Sequence, residues 1–307
     1  MKIAAFPKCY IDEIAAQRTM SVFEWIEMAR ALDAEGLEMY DGFFTSFDDE
    51  YIDWVGEAIH NAGFAMPMLC CSPDFTNPDA EVRRRAWERE RELIRITRRL
   101  AGPQHAGQPR PACRVLSGQR FPEVSVEQGI EWVVDAIMRL LPVAREYDVV
   151  LAMENHYKDG FWKYPEFAQK KEVFLRIVSA IPERTYFGVQ YDPSNAIVAG
   201  DDPIDLLRAV KDRVVTMHAS DRYLVEGTTL LEELKQSDGT LGYSPNLRHG
   251  VTGKGLNDYD AIFSILREVG FAGWVSIEDG MNGMDEMRES IEFLKRMREK
   301  YFGASAR

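Results

Sequence analysis

From one end of the chain to the other, short apolar runs alternate with longer amphipathic ones, and few folds accept that order. Strand-like runs are read at Lys2–Phe6, Leu37–Tyr40, Phe64–Cys71, Cys113–Ser117, Val149–His156, Tyr186–Asp192, Val214–His218 and Trp274–Asp279. Helical patterns lie between them, at Val22–Leu32, Tyr51–His60, Val82–Leu100, Ile130–Ala144, Lys171–Ile181, Ile204–Val210, Tyr259–Val269 and Met284–Tyr301. Apolar spacings of three and four support the helices, as in Val22, Trp25, Ile26 and Ala29. Glycine punctuates several ends, as in Ala34-Glu35-Gly36, Asn61-Ala62-Gly63 and Val269-Gly270. Strict β-α alternation argues for a parallel sheet, and this number of units closes a TIM (β/α)8 barrel. An open doubly wound sheet is the alternative, but no glycine-rich phosphate loop follows the first strand. A length of 307 residues suits one such barrel as a single domain, residues 1–307, and 46% hydrophobic content supplies its core.

Two irregular stretches stand out. Pro103–Pro111 runs from a helix into a strand, which places it on the stability face of a barrel. The other, from Ser220 to about Asn257, follows a strand and is long for a βα connection, so it is expected over the active face. A short helix is read within it at Leu230–Gln236.

Charge narrows the function. Thirty-seven basic residues against 50 acidic ones give a net charge of -13, which argues against nucleic acid or an anionic membrane as partner. The N-terminal MKIAAFPKCY lacks the apolar run of a signal peptide, and no later stretch approaches a membrane span. Cys9, Cys70, Cys71 and Cys113 have no zinc-type spacing and fall in or beside strand-like segments, so they read as buried free thiols. A reducing, cytoplasmic setting is expected.

Active sites of such barrels lie at the C-terminal ends of the strands. There the apolar runs give way to ionisable residues, at Glu154, Asp192, His218 and Glu278. Period-two alternation turns Glu154 and His156 to one face, as it does Gln190 and Asp192, Thr216 and His218, and Ser276 and Glu278. Three carboxylates converging on one point repel each other unless a proton or a cation relieves them. A divalent metal held by Glu154, Asp192, His218 and Glu278 is the economical answer. Oxygen-rich ligation with one imidazole suits Mn²⁺ first, then Mg²⁺ or Co²⁺, and Zn²⁺ less.

The run Ala152-Met153-Glu154-Asn155-His156, then Asp192-Pro193-Ser194-Asn195, then Met217-His218-Ala219-Ser220-Asp221, resembles the sugar phosphate isomerase/epimerase superfamily of xylose isomerase-like TIM barrels. Gly253-Lys254-Gly255 and Trp274-Val275-Ser276-Ile277-Glu278 complete the resemblance. It implies the Glu-Asp-His-Glu metal site, and it implies Glu154 and Glu278 as an acid/base pair working beside a sugar carbonyl. His156, two positions beyond Glu154, is a further candidate base. His249, Lys158, Arg222 and Trp162 are candidate substrate-binding residues, with Phe161 and Tyr157 available for stacking. His60 and His105, in a helix and a bottom loop, are given no catalytic role.

Free-ketose epimerases of this superfamily carry a glutamate six residues after the first metal glutamate, where this chain has Gly160. They carry a histidine where Asn195 stands and an arginine where Leu224 stands. The hydroxyl-binding shell therefore differs. The chain is also similar to the larger subunit of bacterial C-glycoside deglycosidases, which implies an elimination from a 3-oxo-glycoside and a small second subunit; a homo-oligomer is the other expectation. A DNA-repair endonuclease would need more than five histidines and a basic groove. A non-catalytic carbohydrate-binding barrel is the remaining class.

Overall fold

A computed structural model describes residues 1–103, 107–229, 231, 244–278 and 280–303. The parallel strands are β1 (Lys2–Ala5), β2 (Gly36–Leu37), β3 (Met39–Tyr40), β4 (Met68–Cys70), β5 (Ala112–Val115), β6 (Val150–Glu154), β7 (Phe187–Tyr191), β8 (Val214–Ala219) and β11 (Trp274–Ile277). Their order is β2-β1-β11-β8-β7-β6-β5-β4-β3. Because β2 and β3 are halves of one stave, parted only at Glu38, this order closes into a nearly complete ring: the TIM barrel that the alternation predicts.

The helices are α1 (Val22–Ala29), α2 (Asp49–Asn61), α3 (Ala80–Ala101), α4 (Val126–Tyr147), α5 (Lys171–Ala180), α6 (Pro193–Ala199), α7 (Pro203–Val210), α8 (Tyr259–Glu268) and α9 (Met284–Phe302). Their starts are set by side chains that satisfy orphaned N–H groups. Ser21 and Glu24 form a reciprocal box at α1, and Ser125 caps α4. Apolar stripes face the staves, as with the buried Ile262, Phe263, Ile265 and Leu266 of α8.

Several expectations need correction. Except for β8, which runs on to Ala219, strands are shorter than the apolar runs, since buried residues continue past the ladder into the loops; the ladder within Phe64–Cys71 covers only Met68–Cys70, with an isolated bridge from Ala65 to Gly36. Asp279 lies outside the described residues, as do His105 and, except for Leu231, the segment Leu230–Gln236. Gly36 does not terminate a helix. It opens β2, where an added Cβ would sit 2.9 Å from the Trp274 ring, so close packing is what asks for glycine. The helix α6 was unread, its polar start Asp192-Pro193-Ser194-Asn195 masking the turn. The long stretch after β8 holds an antiparallel ribbon, β9 (Arg222–Leu224) against β10 (Leu247–His249). Cys9 is half-buried in a short 3-10 turn, while Cys70, Cys71 and Cys113 are buried; all four are free. Among the described residues no helix is long and apolar enough to cross a membrane.

Candidate metal centre and its cavity

Four neighbouring staves, β6, β7, β8 and β11, deliver the ionisable strand ends to one place. Glu154, Asp192 and His218 are fully buried, and one ligand atom from each lies within 4.8 Å of the others. Glu278 completes the arc, its Oε1 3.9 Å from His218 Nδ1.

The residues between these side chains explain why they converge. Asn155 donates from Nδ2 to the Asp192 carbonyl at 2.7 Å and accepts the Asp192 N–H at 2.9 Å, stitching the end of β6 to the end of β7. Asp192 then caps α6: its Oδ1 accepts from the Asn195 N–H at 2.9 Å and from Ser220 Oγ at 2.6 Å. Its other oxygen, Oδ2, is buried with no hydrogen-bond partner among the described residues. Asp221 gathers the N–H groups of Gly253 at 3.0 Å and Gly255 at 2.9 Å. A Cβ on Gly255 would meet that carboxylate at 2.3 Å, which accounts for the Gly253-Lys254-Gly255 run as a loop wrapped on an anion.

Charge is balanced from the flanks. Arg114, on the stave beside β6, donates to Glu154 Oε2 at 2.8 Å. Lys8, following the stave beside β11, pairs with Glu278 Oε1 at 2.9 Å. Burial opposes ionisation of Glu154, yet Arg114, His218 and His156 bring it down to about 2. Burial likewise opposes Glu278, and Lys8 and His218 hold it well below the usual carboxylate range. Asp192 has no such cation; burial, then Glu278 and Glu154, push it up to about 7.

His218 is oriented from outside the arc. Its Nε2 faces Glu38 Oε2 at 2.8 Å, and its Nδ1 faces Glu154 Oε1 at 3.2 Å. Glu38 also accepts from Ser276 Oγ. Both ring nitrogens thus face carboxylates, which raise His218 well above its ordinary value against its burial; a bound cation would displace the Nδ1 proton while Glu38 keeps the one on Nε2. The donor set therefore fits a divalent cation: carboxylates around an oriented imidazole, with one buried carboxylate oxygen unclaimed. Glu38→Gln is expected to weaken Mn²⁺ affinity about 10–100-fold with the fold intact, read by competition against a chelator. Unchanged affinity would remove Glu38 from the centre.

A cavity of about 290 Å³ opens beside this arc. Its wall includes Lys8, Tyr40, Arg114, His156, Phe161 and Glu278, with Tyr157, Lys158 and Asp159 from the same loop as Phe161. His156 stacks on Tyr157, ring centroids 5.1 Å apart. Of the candidate substrate-binding residues, Lys158 lines the cavity and Trp162 does not. Arg222 is buried and committed: it donates to the Leu247 carbonyl at 2.8 Å and to His249 Nε2 at 3.0 Å, which bolts the β9–β10 ribbon together. Burial, Lys8 and Arg222 hold His249 well below its ordinary value, so it is neutral. His60 sits in the last turn of α2, away from the centre.

Arg114, Glu38 and Lys8, which pair with members of the arc, are the residues that sequence reasoning missed. Arg114 and Glu38 did leave a signal, as single charges inside apolar strands; Lys8 lies in an irregular segment and left none.

The xylose isomerase-like TIM barrel family matches residues 26–297. An inosose dehydratase from Lacticaseibacillus casei is 27% identical over 150 residues, covering 48% of this chain and 47% of that protein, so the match spans about half the length of this curated relative. Among solved structures, a D-tagatose 3-epimerase-like protein superposes over 100% of both chains with a TM-score of 0.74 at 16% identity. The IolI protein with a binding zinc atom covers 98% of this chain and 99% of its own, with a TM-score of 0.66 at 18% identity. At these identities the structural likenesses show the fold.

Proposed function

Since the chain belongs to the xylose isomerase-like TIM barrel family, we propose that it is a divalent-metal-dependent enzyme of the sugar isomerase, epimerase or dehydratase type. In this reading residues 1–307 act as one barrel domain, and the reaction begins with removal of a proton next to a carbonyl of a sugar or keto-sugar. The observation that carries it is the convergence of Glu154, Asp192 and His218, with Glu278 beside them, around an unclaimed Asp192 Oδ2. A cation bound there would supply fixed positive charge beside a substrate carbonyl and so acidify the neighbouring C–H. The oxygen-rich donor set favours Mn²⁺, although the relative with a binding zinc atom makes Zn²⁺ the comparison to run.

The chain's own groups divide the remaining work. Glu154, held by Arg114 and Asn195, is a weak proton acceptor. His156 lines the cavity and is the better base. Glu278, close to Lys8, is placed to exchange a proton on the other side of a bound sugar. Phe161 and Tyr157 offer apolar faces, and Lys158 a cation, to the rest of the substrate.

A lyase outcome shares this first step. It is favoured by Gly160, Asn195 and Leu224, which depart from the free-ketose epimerases, and by the likeness to an inosose dehydratase. In its most specific form the substrate is a 3-oxo-glycoside, the product a released aglycone, and a small second subunit completes the mouth.

The test is proton exchange in heavy water with Mn²⁺ and a panel of ketoses, inososes and 3-oxo-glycosides, followed by NMR. Metal-dependent loss of the C–H signal with substrate retained is the isomerase result; release of water or an aglycone is the lyase result. Glu154→Gln and His156→Ala should each slow exchange about 100-fold or more. No exchange from any member of the panel, with metal bound, sinks the proposal.

A further inference from the structure

Next to the arc the structure holds a second pair of buried polar groups. Glu166 is fully buried. Its Oε1 accepts both the N–H, at 2.7 Å, and the hydroxyl of Ser117. Ser117 Oγ accepts the Ala168 N–H at 2.9 Å, and the Glu166 N–H donates to the Tyr157 carbonyl at 2.8 Å, so the carboxylate is fixed from several directions. Its Oε2 has no hydrogen-bond partner among the described residues, and neither has His156 Nδ1. These two orphaned atoms face each other at 3.8 Å.

An unpaired buried polar atom costs about 1–3 kcal/mol, and here a small ring rotation that brings the two into direct hydrogen-bond range relieves both together. We infer that Glu166 is a positioning residue that holds His156 as its Nδ1–H tautomer and so leaves the Nε2 lone pair to act as the base. A carboxylate can only accept, so the facing Nδ1 carries the hydrogen, and a neutral ring then has its lone pair on Nε2. Stacking on Tyr157 fixes the ring plane. Base and orienter within reach of one another are the arrangement that general-base catalysis needs. In the step itself, Nε2 takes the substrate proton, the C–H electron pair stays on the substrate, and the imidazolium formed is stabilised by Glu166. The catalytic half of this inference rests on the enzyme reading given above; the tautomer does not.

Ring ¹⁵N shifts of the neutral His156, assigned by their absence in His156→Ala, test it on the metal-free chain. Native protein should show Nδ1–H. Glu166→Gln keeps an oxygen for Ser117 and turns an NH₂ toward Nδ1, so the proton should move to Nε2. An Nε2–H ring in the native chain, or no change in Glu166→Gln, overturns the inference; if the variant does not fold, the native tautomer decides alone. On any substrate that exchanges, Glu166→Gln should lower kcat about 10²–10⁴-fold with KM little changed. A KM effect alone overturns the positioning role. A native chain that exchanges nothing would sink the enzyme reading and leave the tautomer result standing.

Discussion

Asp192→Asn should make the metal-free protein more stable above pH 7 and abolish its stabilisation by Mn²⁺. Asn keeps the oxygen that caps α6 and accepts from Ser220, and replaces the unclaimed Oδ2 with an amide nitrogen. In the folded chain Asp192 holds its proton up to about 7, against an ordinary value of 3.8, because burial, Glu278 and Glu154 disfavour its charge. The sign follows from linkage. Between those values the folded state binds the extra proton, so native stability falls as pH rises through the window, by on the order of 4 kcal/mol at about 1.4 kcal/mol per pH unit. The variant lacks that loss and should pull ahead of wild type over the same interval. With Mn²⁺ at a hundredfold excess over Kd, wild type gains about 2.7 kcal/mol and the variant nothing. Urea melts at several pH values, with Mn²⁺ or with chelator, read both effects. A variant that keeps the Mn²⁺ gain would place the metal elsewhere.

Arg114→Met should cost about 3–5 kcal/mol, because it leaves the fully buried Glu154 without its cation. The guanidinium also donates to the Cys71 carbonyl at 3.1 Å and to Ser72 Oγ at 3.2 Å, so the loss includes the anchoring of the turn after β4. Mn²⁺ should return part of the stability, since a bound divalent ion supplies Glu154 with another positive neighbour. Denaturant midpoints of the metal-free and Mn²⁺-loaded variant check this. A drop of less than about 1 kcal/mol, within the range of an exposed ion pair, would mean that solvent already screens Glu154.

The legible part of this molecule was what local order can carry. Alternation reported the staves, and the switch from apolar to ionisable residues at Glu154, Asp192, His218 and Glu278 reported the arc. What supports those groups is non-local. Glu38 reaches His218 across 180 positions, and Arg114 reaches Glu154 across 40. Only ring closure brings such pairs together, so the isolated charges at Glu38 and Arg114 had no visible partner. Arg222 adds a role that no local pattern shows: its guanidinium ties Leu247 and His249 together, while its Nε has no partner among the described residues. Asn155 and Asp221 belong to recognisable runs, yet their work is mechanical, one tying two strand ends and the other anchoring a loop.

Two fixed cations flanking the arc also bear on which ions the centre can tolerate, apart from any preference of its donor atoms. Among the described residues, the arc and the support of His218 comprise four buried carboxylates, Glu38, Glu154, Asp192 and Glu278, and Arg114 and Lys8 pair with two of them. Electroneutrality then asks for two further charges. A monovalent ion falls short, and a protonated His218 supplies only one; the metal-free arc reaches balance when Asp192 holds a proton as well, so a divalent ion takes the place of two protons. Valence two closes the balance, so that an anion formed on a substrate would develop in neutral rather than negative surroundings.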